Sequence, residues 1–392
     1  MLAAISVRRR SAPETVPRVP DTRLILGGDV MLSRFVGKFA RQRGDPASPL
    51  RELAPVLASA DIAFVNLEAP FSDRGKVVES GMIFKAEPEM IGALELAGID
   101  IVSTANNHAR DCGSYGVEFT LDWLAGHGIA AVGTAKSAEA AHAGAVLTRN
   151  GTRFGFLAYT FDQSNGNHRD VDDRIAALDV EQMREDVASM LGREQTLPAA
   201  GGPNALPDGR GSGALHAVAP QIGTHALTDA PEESTQTVER QKGTRALTGA
   251  PQGSARADVV IVSMHAGVEY TPRPNRQQIE FAHAAIDAGA RVVVGHHPHV
   301  VEPWENIIAK SGDSVIFYSL GNLVFDQFQR EETQHGALAE LTFSGARLVH
   351  AEMVAVDIAR TGPRLAENGA RIPAQVTPGA AGGAAGAASK AR

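Results

Sequence analysis

The stretch Arg291-Val-Val-Val-Gly-His-His-Pro-His299 joins a short apolar run to three histidines within four residues. The three valines predict a buried strand, and the glycine and proline after them predict where it ends. Neutral imidazole is the side chain that most often holds a metal ion in proteins, and histidines spaced this closely have few purely structural uses. We therefore expect this strand to deliver candidate metal ligands to the edge of a sheet.

Four other apolar strands run into polar, metal-capable residues in the same way. These strands cover residues 23–27, 61–65, 99–104 and 258–263, with helical patterns between them, and the residues that follow them are Asp29, Asn66, Glu68, Asn107, His108 and His265. Alternating strands and helices predict an α/β layered core with a largely parallel sheet. Because the carboxyl ends of parallel strands share one edge, we expect all five clusters to converge on one crevice.

A second, more antiparallel sheet is predicted from two other segments. Residues 145–159 have the pattern of a hairpin, in which Asn150-Gly151 suits a type I′ turn. Residues 337–358 alternate apolar and polar side chains, as strands with one buried face do. We expect these segments to form a sheet of their own beside the parallel one.

Taken one at a time, the polar residues have ordinary structural interpretations. An aspartate after a glycine, such as Asp29, is typical of a turn or a helix N-cap, and Asn66 and Asn107 suit turns and caps as well. A single histidine such as His265 is often a hydrogen-bonded core residue. The hypothesis of a functional site therefore depends on the convergence of the five clusters.

The composition argues against some classes of function and limits the types of metal ligand that the chain can offer. The 392 residues include 37 Lys and Arg against 45 Asp and Glu, which gives a net charge of −8 and argues against nucleic-acid binding. Cys112 is the only cysteine of the sequence, so a disulfide within the chain is impossible and thiolate ligands are not expected. Carboxylate and imidazole donors suit Zn, Mn or Fe, and two ions bridged by a carboxylate could activate a water molecule.

One domain is expected over residues 22–372, interrupted by an insertion at 197–257. Apolar periodicity disappears within this insertion, and Thr224–Pro231 recurs in imperfect form as Thr244–Pro251. Two copies are too few for a stacked repeat, which needs about three. We interpret the insertion as a disordered segment that expanded by duplication.

The ends of the chain are expected to be disordered. The leader at residues 1–21 has three consecutive arginines at positions 8–10 but lacks the apolar region of a secretory signal peptide, and residues 373–392 are rich in alanine and glycine. No run approaches the roughly 18 apolar residues of a membrane span. From this we expect a cytoplasmic location, with association with the cell envelope left open.

Six motifs in sequence order resemble those of the capsule-synthesis protein CapA family, within the calcineurin-like metallophosphoesterase superfamily. The similarity covers about residues 22–195 and 257–330. The motifs are Gly28-Asp-Val-Met-Leu32, Asn66-Leu-Glu68, Ala105-Asn-Asn-His-Ala-Arg-Asp111, the isolated His265, His297-Pro-His-Val300 and Phe317-Tyr-Ser-Leu-Gly-Asn-Leu-Val-Phe-Asp326. This resemblance implies a layered β-sandwich flanked by helices, with a site for one or two divalent metal ions at one edge.

The resemblance also implies a role for each motif residue. The implied metal ligands are Asp29, Glu68 as a bridging carboxylate, Asn107, His265, His297 and His299. His108 stands where the superfamily has a general acid. Supporting roles are assigned to Asn66, Asp111, His296, Asn322 and Asp326.

Two departures from the superfamily pattern leave the number of ions open. The first motif is usually Asp-x-His but is Asp29-Val30-Met31 here, and the second usually offers an aspartate where this chain has Glu68. The site is therefore expected to hold either one ion or two, and a fold alone does not establish phosphatase activity.

Two hypotheses for the function follow. The first is a metal-dependent hydrolase acting on a phosphoester or on a γ-linked glutamyl amide, either in a small molecule or in poly-γ-glutamate. The second is a non-catalytic accessory protein of capsular polymer synthesis or export, working with the capsule-synthesis machinery. A nucleotide-binding protein is disfavoured because Gly27-Gly28-Asp29 lacks the spacing of a dinucleotide loop and the lysine of a P-loop.

Overall fold

Strand β1, at Asp21–Val30, organises the first of two mixed sheets. Its alternate side chains are buried on opposite faces of the sheet, since Leu24 and Leu26 pack on one side and Ile25 packs on the other. The computed structural model describes residues 20–75, 82–163, 172–193, 256–308 and 312–378. All of these residues belong to one compact unit made of 1–194 and 247–392, and residues 195–246 lie outside the described part.

The first sheet has the strand order β14-β13-β12-β1-β2-β3-β4, with β11 added beside β1 and β15 beside β13. Strands β1 to β4 are parallel, whereas β12 and β13 are antiparallel. Besides β1, its strands are β2 (Ile62–Leu67), β3 (Ile101–Ser103), β4 (Ala130–Val132), β11 (Asn322–Val324), β12 (His335–Ser344), β13 (Arg347–Ala359), β14 (Gly362–Leu365) and β15 (Arg371–Ile372).

The second sheet has the order β16-β9-β10-β8-β7-β6-β5. Strands β6, β7, β8 and β10 are parallel, and the hairpin strand β5 is antiparallel to β6. Its strands are β5 (Ala145–Arg149), β6 (Thr152–Thr160), β7 (Val259–His265), β8 (Val292–His296), β9 (Trp304–Ile308), β10 (Ser314–Phe317) and β16 (Gln375–Pro378).

Helices cover the outer faces of the two sheets. Buried side chains of α2 and α3 pack on the first sheet, and those of α6 and α7 pack on the second. The helices are α1 (Arg34–Gln42), α2 (Ala54–Leu57), α3 (Ile91–Ala97), α4 (Gly113–Gly126), α5 (Ala138–Ala143), α6 (Val180–Met190) and α7 (Arg276–Ala288). In the described part of the chain, none of them is long and apolar enough to cross a bilayer.

The two sheets pack face to face through a shared apolar core. Phe64 on β2 stacks on Phe156 on β6 with ring centroids 5.8 Å apart, and Phe154 meets Phe343 edge-on. The predicted α/β layered sandwich flanked by helices is therefore confirmed.

Turns and helix ends have the residues that their backbone conformations favour, including the predicted Asn150-Gly151 turn. Gly98 ends α3 in the left-handed conformation, and Asn150-Gly151 has two positive φ angles, as a type I′ turn requires. Asn275 forms a capping box with Gln278 at the start of α7.

The expected grouping of the antiparallel segments is wrong. The hairpin β5–β6 belongs to the second sheet, and β12–β13 belong to the first. Each sheet is therefore mixed, and the antiparallel pairs extend the edges of two parallel arrays.

Three expected boundaries also differ from the structure. Asp21 is already part of β1, and Ala257 at the end of the expected insertion is buried. Gln375–Pro378, placed in the tail, pairs in parallel with β9 because this edge strand offers unpaired backbone groups. Residues 1–19, 194–255 and 379–392 lie outside the described residues, so the predicted disorder there remains a prediction.

Glu302 is a buried carboxyl group that ties the histidine segment to α7. Its Oε2 accepts a hydrogen bond of 2.7 Å from Gln278 Nε2, while its Oε1 finds no partner among the described residues. Burial raises the pKa of Glu302 from 4.5 to about 7, although the bond from Gln278 opposes this.

The Glu302→Gln variant is expected to gain stability relative to the parent protein as pH rises from 5 to 8.5. The unfolded chain loses this proton near 4.5 and the folded chain near 7, so the native protein loses stability between these values, by about 3 kcal/mol in total. Urea unfolding at several pH values measures the difference. Glu332→Gln, at an exposed position, is the control, and an equal gain at pH 5 and pH 8.5 would contradict the expectation.

Candidate metal centre

The candidate site lies where strand ends from both sheets meet. β1, β2 and β3 of the first sheet and β7 and β8 of the second sheet all lead into it. The five clusters therefore converge as expected, but from two sheets rather than from one. The buried polar side chains here are Asp29, Asn66, Glu68, Asn106, Asn107, His108, Asp111, His265, His296, His297, His299 and Asn322.

Two glycines let the backbone approach closely just before the ligand candidates. A Cβ at Gly28 would collide with the carbonyl oxygen of Gly321, and one at Gly295 would collide with the carbonyl oxygen of Tyr318. Only glycine fits at these positions, which fixes where Asp29 and His296 leave their strands.

Asp29, Glu68 and His299 form a buried cluster that could hold a metal ion. One potential ligand atom from each residue lies within 4.8 Å of the other two. His299 Nδ1 is 3.3 Å from Asp29 Oδ2, and His299 Nε2 is 3.6 Å from Glu68 Oε1. The donors are two carboxylates and an imidazole, which suit a divalent transition metal.

The two carboxyl groups of this cluster have opposite pKa shifts. Burial opposes ionisation of Asp29, but the imidazoles of His296 and His299 outweigh it and hold the pKa of Asp29 well below its usual range. Burial, reinforced by the charge on Asp29, raises the pKa of Glu68 well above its usual range. A divalent cation between them would favour the ionised form of Glu68, so we expect metal binding to release a proton.

Unsatisfied buried atoms indicate that the residues fit a metal ion. Glu68 Oε1, both ring nitrogens of His296 and His297 Nδ1 find no hydrogen-bond partner among the described residues. Such atoms are costly in a folded protein unless a ligand, an ion or water satisfies them. Their concentration around one carboxylate pair is the expected pattern for a metal centre.

Asn66 holds the acidic side chains together. Its Nδ2 donates a 2.8 Å hydrogen bond to Asp29 Oδ1 and lies 3.3 Å from both Glu68 Oε2 and His265 Nδ1. Asn106 in turn donates to Asn66 Oδ1 and to the carbonyl oxygen of Leu67. The predicted supporting role of Asn66 is consistent with these contacts.

Asn107 and His265 contact each other directly. His265 Nε2 lies 2.8 Å from Asn107 Oδ1, and the His265 ring packs 4.9 Å from the ring of His297. Burial lowers the pKa of His265 well below its usual range, and burial together with the nearby His299 lowers the pKa of His297 to about 3. Both imidazoles are thus neutral at pH 7, which is the form that binds metals.

His108 is oriented by Asp111 and faces the cluster. Its Nδ1 lies 2.7 Å from Asp111 Oδ2, and its Nε2 lies 4.0 Å from Glu68 Oε1. The ring stacks on Phe84 at 3.8 Å, and the Phe84 amide donates to the same Asp111 oxygen. This geometry can hold a proton on the Nε2 that faces the crevice.

His299 is also held from outside the cluster. Its Nδ1 lies 3.0 Å from Asn322 Oδ1, and Asn322 Nδ2 donates to Gln327, whose Nε2 donates to the hydroxyl group of Tyr270. Such outer contacts fix the orientation of a ligating imidazole. Asp326, by contrast, contacts the first turn of α1, where its Oδ2 accepts a hydrogen bond from the Phe35 amide.

The backbone of the histidine segment is strained. His297 has φ +98° and His299 has φ +59°, and positive φ is uncommon for residues other than glycine, although Asn, Asp and His adopt it more often than the rest. Each such conformation costs about 1–3 kcal/mol, and strain of this kind concentrates at functional sites.

Met31 occupies the place where the superfamily pattern has a histidine. It is fully buried, and its Sδ accepts a 3.2 Å hydrogen bond from the backbone amide of Ser33. Its thioether is a soft donor that is poorly suited to Mn²⁺, and its Sδ already accepts the hydrogen bond from Ser33. A second ion would therefore have one ligand fewer than in the superfamily pattern.

Two residues contact the predicted site residues without having been predicted from the sequence. Asn106 was part of a quoted motif, but only the structure shows its side chain bridging Asn66 and the backbone amide of His108. Phe84 lies in no recognised motif, and nothing in the sequence points to its stacking on His108.

Comparison with known proteins gives the family. The family model of the bacterial capsule synthesis protein PGA_cap matches residues 23–327. The PGA biosynthesis protein CapA of Bacillus subtilis is 27% identical over 303 residues, which are 76% of this chain and 62% of that protein. The capsule biosynthesis protein CapA of Bacillus anthracis is 26% identical over 333 residues, covering 83% of this chain and 66% of that protein.

The match therefore spans less than two thirds of each Bacillus relative. A probable polyglutamine synthesis accessory protein of Mycobacterium tuberculosis is 25% identical over 77% of this chain and 74% of its own length. The crystal structure of a hypothetical protein from Thermus thermophilus aligns with 86% of this chain and 99% of that chain, at 14% identity and a TM-score of 0.43. With a family match over residues 23–327, the chain belongs to the bacterial capsule synthesis protein family PGA_cap, which confirms the resemblance to CapA.

Proposed function

We propose that this protein is a metal-dependent hydrolase of capsule or poly-γ-glutamate biosynthesis, acting on a phosphoester or a γ-glutamyl amide. The observation that carries the proposal is the buried Asp29–Glu68–His299 cluster, which faces the Asp111-oriented imidazole of His108. An acid beside a metal-binding carboxylate pair is the arrangement that metal-assisted hydrolysis requires. We assign Asn107, His265 and His297 as further ligands of one or two Mn, Zn or Fe ions.

A divalent ion bound at this cluster would polarise the oxygen of a phosphoryl or carbonyl group and favour ionisation of a nearby water molecule. The chain itself supplies the positioning and the proton. Asn66 fixes Asp29 relative to Glu68, and Asn322 orients His299. His108 Nε2 faces the crevice as the proton donor to the leaving group, and Asp111 fixes the orientation of the imidazole ring through Nδ1.

The two substrate classes have different support. The buried carboxylate and imidazole donors suit a phosphoester, whose transition-state charge an ion and a protonated histidine both stabilise. The names of the relatives, PGA biosynthesis protein and polyglutamine synthesis accessory protein, favour a glutamyl polymer. Work on such a polymer would bring the protein into contact with the capsule-synthesis machinery.

The second candidate function is a non-catalytic accessory protein of polymer synthesis or export. Met31 favours it, because this buried residue replaces a histidine of the superfamily pattern. The word accessory in the name of the mycobacterial relative points in the same direction.

Hydrolysis assays on the purified full chain test the proposal. The metal-stripped chain, reloaded with Mn²⁺, Zn²⁺ or Fe²⁺, is incubated with p-nitrophenyl phosphate, bis-p-nitrophenyl phosphate and γ-glutamyl oligomers. We expect turnover of one class that a chelator abolishes and that Asp29→Asn lowers. Metal binding without turnover of either class would favour the accessory function instead.

A further inference from the structure

Helix α1 carries its large apolar side chains on the outside. Phe35 is 53% exposed and Phe39 is 36% exposed, whereas the buried positions of the helix are the small residues Gly37 and Ala40. The usual amphipathic pattern of a surface helix places large apolar residues toward the core. The two phenyl rings stack side by side, with centroids 6.2 Å apart.

The same helix is locally basic on an acidic chain. Residues 34–43 contain four cations and no acidic residue, although the whole chain has a net charge of −8. Lys38, Arg41 and Arg43 are exposed, and the Lys38 ammonium lies 6.0 Å from the Phe35 ring. Arg34 is the exception, since it pairs with Asp326 at 3.3 Å.

An apolar groove continues this surface. It is lined by the apolar side chains of Phe35, Phe39, Phe328 and Ile358, with Arg43, Asp326 and Arg360 among its polar residues. The guanidinium of the exposed Arg360 lies 4.7 Å from the Phe328 ring. Cations thus lie beside an opening whose walls are aromatic and aliphatic.

We propose that the α1 patch, formed by Phe35, Lys38, Phe39, Arg41, Arg43 and Arg360, docks on an anionic lipid surface. A basic helix with exposed aromatic side chains lies in the plane of a membrane interface, with its rings among the acyl chains and its cations at the phosphates. A soluble polyanion would engage the cations alone, whereas a lipid surface also accounts for the two rings and the apolar groove.

Arg34, which directly precedes the patch, connects helix α1 with the candidate metal centre. The guanidinium of Arg34, at the start of α1, lies 5.6 Å from the ring of Phe84, which stacks on His108. Docking through α1 would therefore place the crevice near the membrane surface. The inference does not depend on the proposed hydrolysis, because the patch residues lie outside the ligand set.

Vesicle flotation of the full chain tests the proposal. We expect binding to vesicles of phosphatidylcholine mixed with phosphatidylglycerol, weak binding to phosphatidylcholine alone, and a decline as salt rises. Phe35→Ser combined with Phe39→Ser should weaken binding about tenfold or more. Lys38→Gln and Arg43→Gln should each weaken it about fivefold.

Matched controls separate the patch from general surface effects. Val349→Ser with Arg347→Gln removes an exposed apolar residue and an exposed cation from β13 and should leave vesicle binding unchanged. The circular dichroism spectra and the metal content of the patch variants should match those of the parent protein. If the double serine variant unfolds, Lys38→Gln and Arg43→Gln still test the role of the patch.

Three outcomes would overturn the proposal. The first is no binding to the mixed vesicles at low salt, and the second is binding that the patch substitutions leave intact. The third is patch-dependent binding of soluble poly-γ-glutamate, or patch-dependent self-association in sedimentation, without binding to vesicles. Those last results would assign the patch to a polymer or to a second copy of the chain.

Discussion

Replacing Asp29 by asparagine is expected to weaken metal binding by at least about 100-fold. Asp29 lies within reach of Glu68 and His299, and its pKa is well below the usual range, so it supplies the resident negative charge of the cluster. The amide keeps the shape and the hydrogen bond to Asn66 but removes that charge, and even outer residues of metal sites cost 10–100-fold when lost. Titration calorimetry of the metal-stripped chain with Mn²⁺ or Zn²⁺ measures the change.

The same variant should lose the thermal stabilisation that metal gives. A ligand present at about 100 times its Kd stabilises the native state by about 2.7 kcal/mol, and this gain disappears when the site no longer binds. Asp186→Asn is the matched control, because Asp186 is a buried aspartate bonded to Tyr159 and His142 away from the site. Unaltered metal affinity in Asp29→Asn would exclude Asp29 as a ligand.

Replacing His108 by alanine should lower turnover roughly 10²–10⁴-fold, the range of a lost general acid, with little change in metal content. The imidazole is bonded to Asp111 through Nδ1, and its Nε2 remains 4.0 Å from Glu68 Oε1. It is therefore placed to give up a proton rather than to complete the ligand shell. Initial rates on the substrate class identified by the hydrolysis assays, with parallel elemental analysis, measure both quantities.

The size of the loss should depend on the leaving group. The aryloxide of an aryl phosphate leaves without much protonation, so turnover of this substrate should fall less. Turnover of an alkyl phosphate or an amide should show the full loss. His142→Ala is the control, because His142 has the same contact with a carboxylate, 2.8 Å from Asp186, outside the site. If His108→Ala stripped the metal, or spared the poor leaving groups, the acid role would be wrong.

The strands could be predicted from the sequence, but their assignment to sheets could not. Runs such as Val292–Val294 are apolar on both faces because helices cover one side and the opposite sheet covers the other. Such a run predicts a buried strand without specifying its neighbours. The sequence pattern therefore groups the hairpin at 145–159 with 337–358, whereas in the structure β6 pairs in parallel with β7.

The convergence of the motif residues on one crevice could be predicted because the motifs follow strand ends. Asp29, Glu68 and His299 do meet, Asn66 contacts Asp29, and Asp111 contacts His108. Side-chain pairing across the site was not predictable, since it depends on how the two sheets are offset. The direct contact between Asn107 and His265, and the stacking of Phe84 on His108, are of this kind.

The metal content of the full chain decides whether the Asp29–Glu68–His299 cluster is a metal centre. The chain is stripped with a chelator, reloaded with Mn²⁺, Zn²⁺ or Fe²⁺, desalted and measured by elemental analysis. The buried Asp29–Glu68–His299 cluster predicts that one or two ions are retained per chain. We also expect a proton to be released on binding, because the pKa of Glu68 is raised in the metal-free chain. A desalted chain that retained none of these metals would contradict the account.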